Sequence, residues 1–196
     1  MNYIYCMDFL PSQDRTPKRG QVLLSEPYIS DTFFHRMVVF LCENNAEGSF
    51  GFVLNNYVDL PIHKVIANFP EFPGRISLGG PVKNESLFYI HTLGEIVKGS
   101  TRVMPGIWYG GEFDDIKALI DNNTLPPNSL RFFIGYSGWG AKQLQEEIQS
   151  KSWFVANIAV KDIMNSSENN LWQEIMKKLG AKGDVVSKFP ENPNLN

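Results

Sequence analysis

Gly135-Tyr136-Ser137-Gly138-Trp139 sets a hydroxyl, two aromatic rings and unobstructed backbone in five consecutive positions. The order brushes against G-x-S-x-G, the pattern that exposes a nucleophilic serine between a strand and a helix. Its fifth position is Trp139, and His35, His63 and His91 all precede Ser137. An α/β-hydrolase carries its acid and its histidine after the serine. A hydrolase using the Gly135–Gly140 turn is therefore an alternative reading, and no catalytic residue is assigned.

Glycine turns offer a second chemistry, since successive bare N–H groups can converge on an anion. Gly79-Gly80-Pro81 and Gly135–Gly140 both qualify, though neither is a P-loop or a dinucleotide fingerprint. The plainer account is that glycine permits a tight turn and close packing of Trp139. Should the two turns meet, they would flank a shared cleft with Asn55, Trp139 and Gln143. The isolated histidines have no ligand-pair spacing, so neither a metal nor a cofactor is expected. Asp114-Asp115 and Glu146-Glu147 fall on predicted helix surfaces, where solvated charge is the ordinary role.

Strands and short turns must position these groups. Phe132–Ile134 reads as a buried strand entering the second glycine turn, with a helix from Ala141 that stacks Leu144 on Ile148. Val22–Leu24 is a short strand. Met37–Cys42 and Phe50–Leu54 form a β-hairpin around the Asn- and Gly-bearing segment 43–48. Asp59 is placed to cap a helix carrying Ile62, Val65 and Ile66. Arg75–Leu78 and Leu87–His91 are further strands, Val103–Tyr109 is extended but broken at Pro105-Gly106, and Phe113–Ile120 is helical. Trp153–Ile158 is a late strand, and 168–179 a helix with Leu171, Trp172, Ile175 and Leu179 on one stripe.

Strands outnumber helices without a helix after each, which excludes a regular βαβ repeat. The expectation is an α+β chain: one compact domain with a mixed, largely antiparallel, curved sheet flanked by helices. It spans residues 21–182, with an N-terminal arm over 1–20 and a frayed tail over 183–196.

The chain has 196 residues, is 43% apolar and carries a formal charge of −3. The acidic balance argues against direct nucleic-acid binding. Lys177, Lys178 and Lys182 cluster at a predicted helix end, where cations complement the helix dipole. Cys6 and Cys42 are distant and lack CxxC spacing, which fits a reducing compartment; Cys42 lies in an apolar run as a small core side chain. No run approaches membrane-spanning length, and the N-terminus lacks the order of a secretory signal. A cytoplasmic location is expected.

Several spaced segments occur in a familiar order. They are Pro27-x3-Asp31-x-Phe33-x2-Arg36, Glu47-Gly48-x2-Gly51-x3-Asn55, Gly79-Gly80-Pro81-Val82, Leu87-x3-His91 and Gly135-Tyr136-x-Gly138-Trp139-x3-Gln143-Leu144. Together they resemble the bacterial YqgE/AlgH family from about residue 18 to about residue 181. The resemblance implies one α/β-type domain in the bacterial cytoplasm and a family label of transcriptional regulator, with no settled activity. The chain departs from the family pattern at Met37 (commonly Ser), Asn44 (commonly His), Asn56-Tyr57 (commonly a basic residue and Pro) and Lys142 (often Gly). The candidate ligand-binding set is Arg36, Asn55, Gly79, Gly80, His91, Tyr136, Gly138, Trp139 and Gln143. The favoured function is regulation exerted indirectly, through a cleft that takes an unidentified small ligand or protein partner. A direct DNA-binding regulator is the other alternative, and oligomeric state is left open.

Overall fold

The computed structural model describes residues 16–67, 69–166 and 170–191. Most of the expected N-terminal arm, Cys6 included, lies outside them, as does the end of the expected tail. Strands β1 (Val22–Ser25), β2 (Val38–Asn45), β3 (Gly48–Val53), β4 (Tyr57–Pro61) and β5 (Arg75–Leu78) precede β6 (Val82–His91). Strands β7 (Thr101–Met104), β8 (Ile107–Tyr109), β9 (Leu130–Gly140) and β10 (Trp153–Ala156) follow. Helices are short: α1 (Ile62–Val65), α2 (Phe113–Asp121), α3 (Gln143–Gln149), α4 (Val160–Met164), α5 (Leu171–Lys177) and α6 (Ala181–Ser187).

The strands form one sheet in the order β10-β1-β2-β3-β9-β6-β8-β7, with β4 and β5 branching from β9. Among the described residues every pairing is antiparallel except β5 beside β9. This is the mixed, largely antiparallel sheet that the sequence predicts.

Strand β9 is the hub. Its first half, Leu130–Ile134, is an apolar run lying between β5 and β6, and Phe132 and Phe133 are fully buried. Its second half pairs with β3 through Ser137–Gly140. The predicted turn at Gly135–Gly140 is therefore corrected: the segment is strand to its end. Gly135 alone breaks the extended conformation, at φ +69°. A side chain there would meet the Gly80 carbonyl oxygen at 2.5 Å, so the glycine serves a backbone crossing rather than a reversal. The helix starts at Gln143 instead of Ala141, because Lys142 takes the left-handed conformation at φ +67°.

Two further boundaries differ from expectation. Tyr57–Pro61 is strand β4, and the helix after it is a single turn whose N-cap is Pro61 rather than Asp59. The predicted tail boundary at 183 falls inside α6, which buries Val186 and Ser187. Residues 168–169 of the predicted late helix lie outside the described residues, while Leu171, Trp172 and Ile175 are buried as its stripe requires.

Packing divides by sheet face, as strand alternation dictates. Val22, Leu24, Val38, Phe40, Cys42 and Phe52 join Phe133, Trp172 and Met176 in the largest cluster. Their odd-numbered neighbours Leu23, Val39, Leu41 and Val53 point the other way, onto Trp139, Trp153, Leu144 and Ile148. A third cluster seats α2 on the sheet through Ile116, Ile120, Phe132 and Tyr89. Each fully buried aromatic or branched side chain contributes about 1.5–3 kcal/mol from removal of apolar surface.

Candidate functional site

The two glycine segments meet. The Gly79 N–H donates to Ile134 O at 2.8 Å, and its carbonyl accepts from Val53 N at 2.9 Å and Ser137 Oγ at 3.0 Å. A Cβ on Gly80 would stand 2.1 Å from the Tyr136 carbonyl carbon. The contact is backbone against backbone and leaves no room for an anion between them. Ser137 is fully buried with its hydroxyl proton committed to a carbonyl, a poor arrangement for a nucleophile.

An open space lies beside this crossing, on one face of β3, β9 and the start of β6. In the ladders Gly48 stands opposite Gly140, Phe50 opposite Gly138, and Val82 opposite Tyr136. Cross-strand partners share a face, so Phe50, Tyr136 and Val82 stand beside Gly48 and Gly138, which carry no side chain. A cavity of about 590 Å³ results. Phe88 and Phe50 meet the Tyr136 ring edge-on at 5.6 and 6.0 Å, and all three rings are half-buried. Glu43, Asn45 and Glu47 border the cavity from the β2–β3 hairpin, and Lys83 from β6. Arg19 reaches Glu43 at 3.8 Å, a long, partly exposed and weak pair.

Of the sequence candidates, Tyr136, Gly138 and Trp139 border this cavity. Alternation sends the Trp139 indole to the opposite face, where Nε1 donates to Glu147 Oε2 at 2.9 Å and the ring meets Trp153 edge-on. Gln143 ties off the end of β9: its Oε1 accepts from Gly140 N at 3.0 Å and its Nε2 donates to Glu147 Oε1 at 2.9 Å. Arg36 and Asn55 come together elsewhere. Asn55 accepts from Val38 N at 2.8 Å and donates to Arg36 O at 2.9 Å. The Arg36 guanidinium lies over Trp172 and donates through Nη2 to Phe189 O at 2.6 Å and Pro190 O at 2.8 Å. These contacts anchor the segment after α6.

His91 is fully buried, stacked on Trp108. Leu93 N donates to its Nδ1 at 3.3 Å, which leaves Nε2 to carry the proton toward Gly110 O at 3.2 Å. Burial holds its pKa below the usual 6.5, partly countered by the Gly110 contact. The ring is a neutral core group.

Sequence reasoning passed over Phe50 and Phe88, which wall the cavity, and over Arg131 and Glu147, which hold its surroundings. Arg131 is inside the apolar run of β9, and a charge in such a run is the signal that marks it. Its Nη1 donates to Ile163 O, and its Nη2 to Leu54 O and Ser77 Oγ. Burial lowers its pKa to about 10, still a cation at neutral pH. Glu147, four residues after Gln143 on α3, faces the indoles rather than open solvent. Among the described residues, no three His, Cys, Asp or Glu side chains come together as a metal-binding group.

Comparison with known proteins places these features in context. A sequence profile described as AlgH-like matches residues 22–184. A UPF0301 protein of Cytophaga hutchinsonii is 39% identical over 179 residues, covering 91% of this chain and 98% of its own. One from Bacteroides fragilis is 36% identical over 190 residues, covering 95% of each chain. The fold is similar to a crystal structure of a Corynebacterium diphtheriae protein, with a TM-score of 0.73 at 23% identity over 91% of this chain and 95% of that one. It is also similar to the solution structure of the AlgH protein from Pseudomonas aeruginosa, with a TM-score of 0.69 at 20% identity over 92% and 98%.

Proposed function

This chain belongs to the AlgH-like family, and from that premise we propose that it is a binding protein whose working surface is the groove over β3, β9 and the start of β6. Any effect on transcription is indirect, through whatever the groove holds. One observation carries the reading: three half-buried rings, Phe50, Phe88 and Tyr136, stand around bare backbone at Gly48 and Gly138. Concave sites with aromatic walls and a few convergent polar groups are the usual form of ligand pockets. Arg36, Asn55, Gly79, Gly80, His91 and Gln143 support the walls and neighbouring segments instead of touching the occupant.

The formal charge of −3 weighs against a direct grip on DNA phosphates. The commitment of the Ser137 hydroxyl to Gly79 O weighs against a hydrolase on this segment. Among the described residues no helix is long and apolar enough to cross a membrane. The cytoplasm is the proposed place of action.

Titration with indole and with N-acetyl-phenylalanine amide, followed by backbone amide NMR, tests the reading. Shifts centred on Phe50, Tyr136 and Gly138 are expected, and Gly138→Val abolishes them by filling the space. Unchanged spectra at millimolar probe would overturn the groove. A mobility shift on one DNA sequence that survives moderate salt would overturn the indirect mode.

A further inference from the structure

The described chain begins beside the groove. Pro17 O accepts from Asn44 Nδ2 at 2.6 Å, and Arg19 reaches the groove-lining Glu43 at 3.8 Å. Glu43 stands opposite Phe50 in the β2–β3 ladder, so Arg19 extends on the side of the sheet that carries the rings. Gly20 lies on the same side. A Cβ built on it would stand 3.1 Å from the Met104 Cβ, and Met104 packs in one cluster with Phe50, Phe88 and Tyr136. Residues 1–15 precede this point and lie outside the described residues. Their sequence is strongly apolar: Tyr3, Tyr5, Met7 and Phe9 alternate with Asn2, Ile4, Cys6 and Asp8, and Leu10 and Pro11 follow. Alternate residues of an extended chain share one side, which would put those four together.

We infer that the resident occupant of the groove is this chain's own segment Tyr3–Leu10, laid over Phe50, Phe88 and Tyr136 with Tyr5, Met7 and Phe9 inward. The chain is long enough. Asn44, Ser49 and Trp139 are aligned across β2, β3 and β9. Three strand spacings, roughly 14 Å, separate the chain beside β2 from β9, and Tyr136 lies roughly 10 Å along β9 from Trp139. The direct separation is then roughly 18 Å. Seven residue steps join Pro17 to Leu10, and an extended chain of that length covers up to ~23–25 Å. Slack remains for a bend at Pro11. The tether also sets the strength of the contact. A short linker holds its segment at an effective concentration on the order of millimolar, so even a weak apolar contact competes with an outside ligand. The inference rests on the groove reading and deepens it: whatever the groove takes from outside must displace an aromatic segment of this chain.

The test compares the full chain with its double variant Met7→Ser, Phe9→Ser, following the amide signals of Phe50, Tyr136 and Gly138. Those signals are expected to move in the variant. A synthetic peptide of residues 1–12, added in trans, should move them back toward their wild-type positions. Indole should bind the variant about three- to ten-fold tighter, because a competing segment has been weakened. Unmoved groove signals, with indole binding both proteins alike, overturn the segment as occupant while the groove reading stands. Signals that move with protein concentration assign the place to a second copy of the chain and overturn the inference as well. If indole shifts neither protein, the groove reading fails and the inference fails with it.

Discussion

Trp139 donates its indole N–H to Glu147 Oε2 at 2.9 Å, across the junction of β9 and α3. The same oxygen accepts from Trp153 Nε1 at 2.7 Å, so one carboxylate secures two indoles from two strands. It thereby holds the end of β9, whose other face borders the groove.

Glu147→Ala leaves two buried indole N–H groups without their acceptor. A loss of about 2–4 kcal/mol is expected, from charge-assisted bonds lost and donors left unpaired. Glu147→Gln keeps an acceptor oxygen and should cost less than half as much. Urea unfolding checks both, and tryptophan emission should shift in the alanine variant first.

His91 gives stability a pH dependence of defined sign. Burial lowers its folded pKa below 6.5, so the unfolded chain takes up a proton more readily than the fold. Its contribution is intact above pH 6.5 and is lost as pH falls from there toward the folded pKa. Glu26 acts in the opposite sense, since burial raises its carboxyl above 4.5 and its contribution fades as pH rises through that raised value. The comparison that isolates His91 is urea midpoint against pH for the wild type and His91→Gln. The variant should be less stable at pH 7.5 and show a flatter decline below 6.5.

Lys142 carries backbone strain that glycine would relieve. At φ +67° its Cβ crowds the backbone, and the gain from Lys142→Gly should be about 0.5–1 kcal/mol after the added flexibility of the unfolded chain. Lys142→Ala retains the Cβ and should show no gain. Thermal midpoints of the three proteins settle the matter.

Arg131 joins β9 to the loop after β3 and to the end of α4, through Leu54 O and Ile163 O. Arg131→Met removes both donors at once, taking the guanidinium from Ile163 O and leaving Leu54 O only the Ser77 hydroxyl at 3.3 Å. A loss of about 3–5 kcal/mol is expected. Arg131→Lys, with a point charge in place of a fork, should recover only part of it. Chemical denaturation provides the measure.

The β2–β3 hairpin was readable because its signals are local: apolar runs on either side of an Asn- and Gly-bearing reversal. The strand character of Tyr136–Gly140 was written in the sequence as well, since Tyr136, Gly138 and Gly140 alternate with Ser137 and Trp139. Three glycines in six residues read more simply as a turn. What straightens the segment is distant backbone: β3 paired along it, and Gly79 accepting the Ser137 hydroxyl 58 residues away. The gathering of Phe50, Phe88 and Tyr136 around bare positions was equally hidden, because it depends on ladder register and not on spacing along the chain.

By itself the sequence determined most of the element types, the α+β class, the buried place of Cys42 and the family. Each of these follows from local periodicity or from motifs kept in order. Tertiary structure alone decided that the paired glycine segments close on each other, and that the space opens on the neighbouring face. It also decided that the Trp139 indole turns to the far side of the sheet. A strand shows both its faces to the sequence alike; only its partners' register determines which becomes core and which becomes groove.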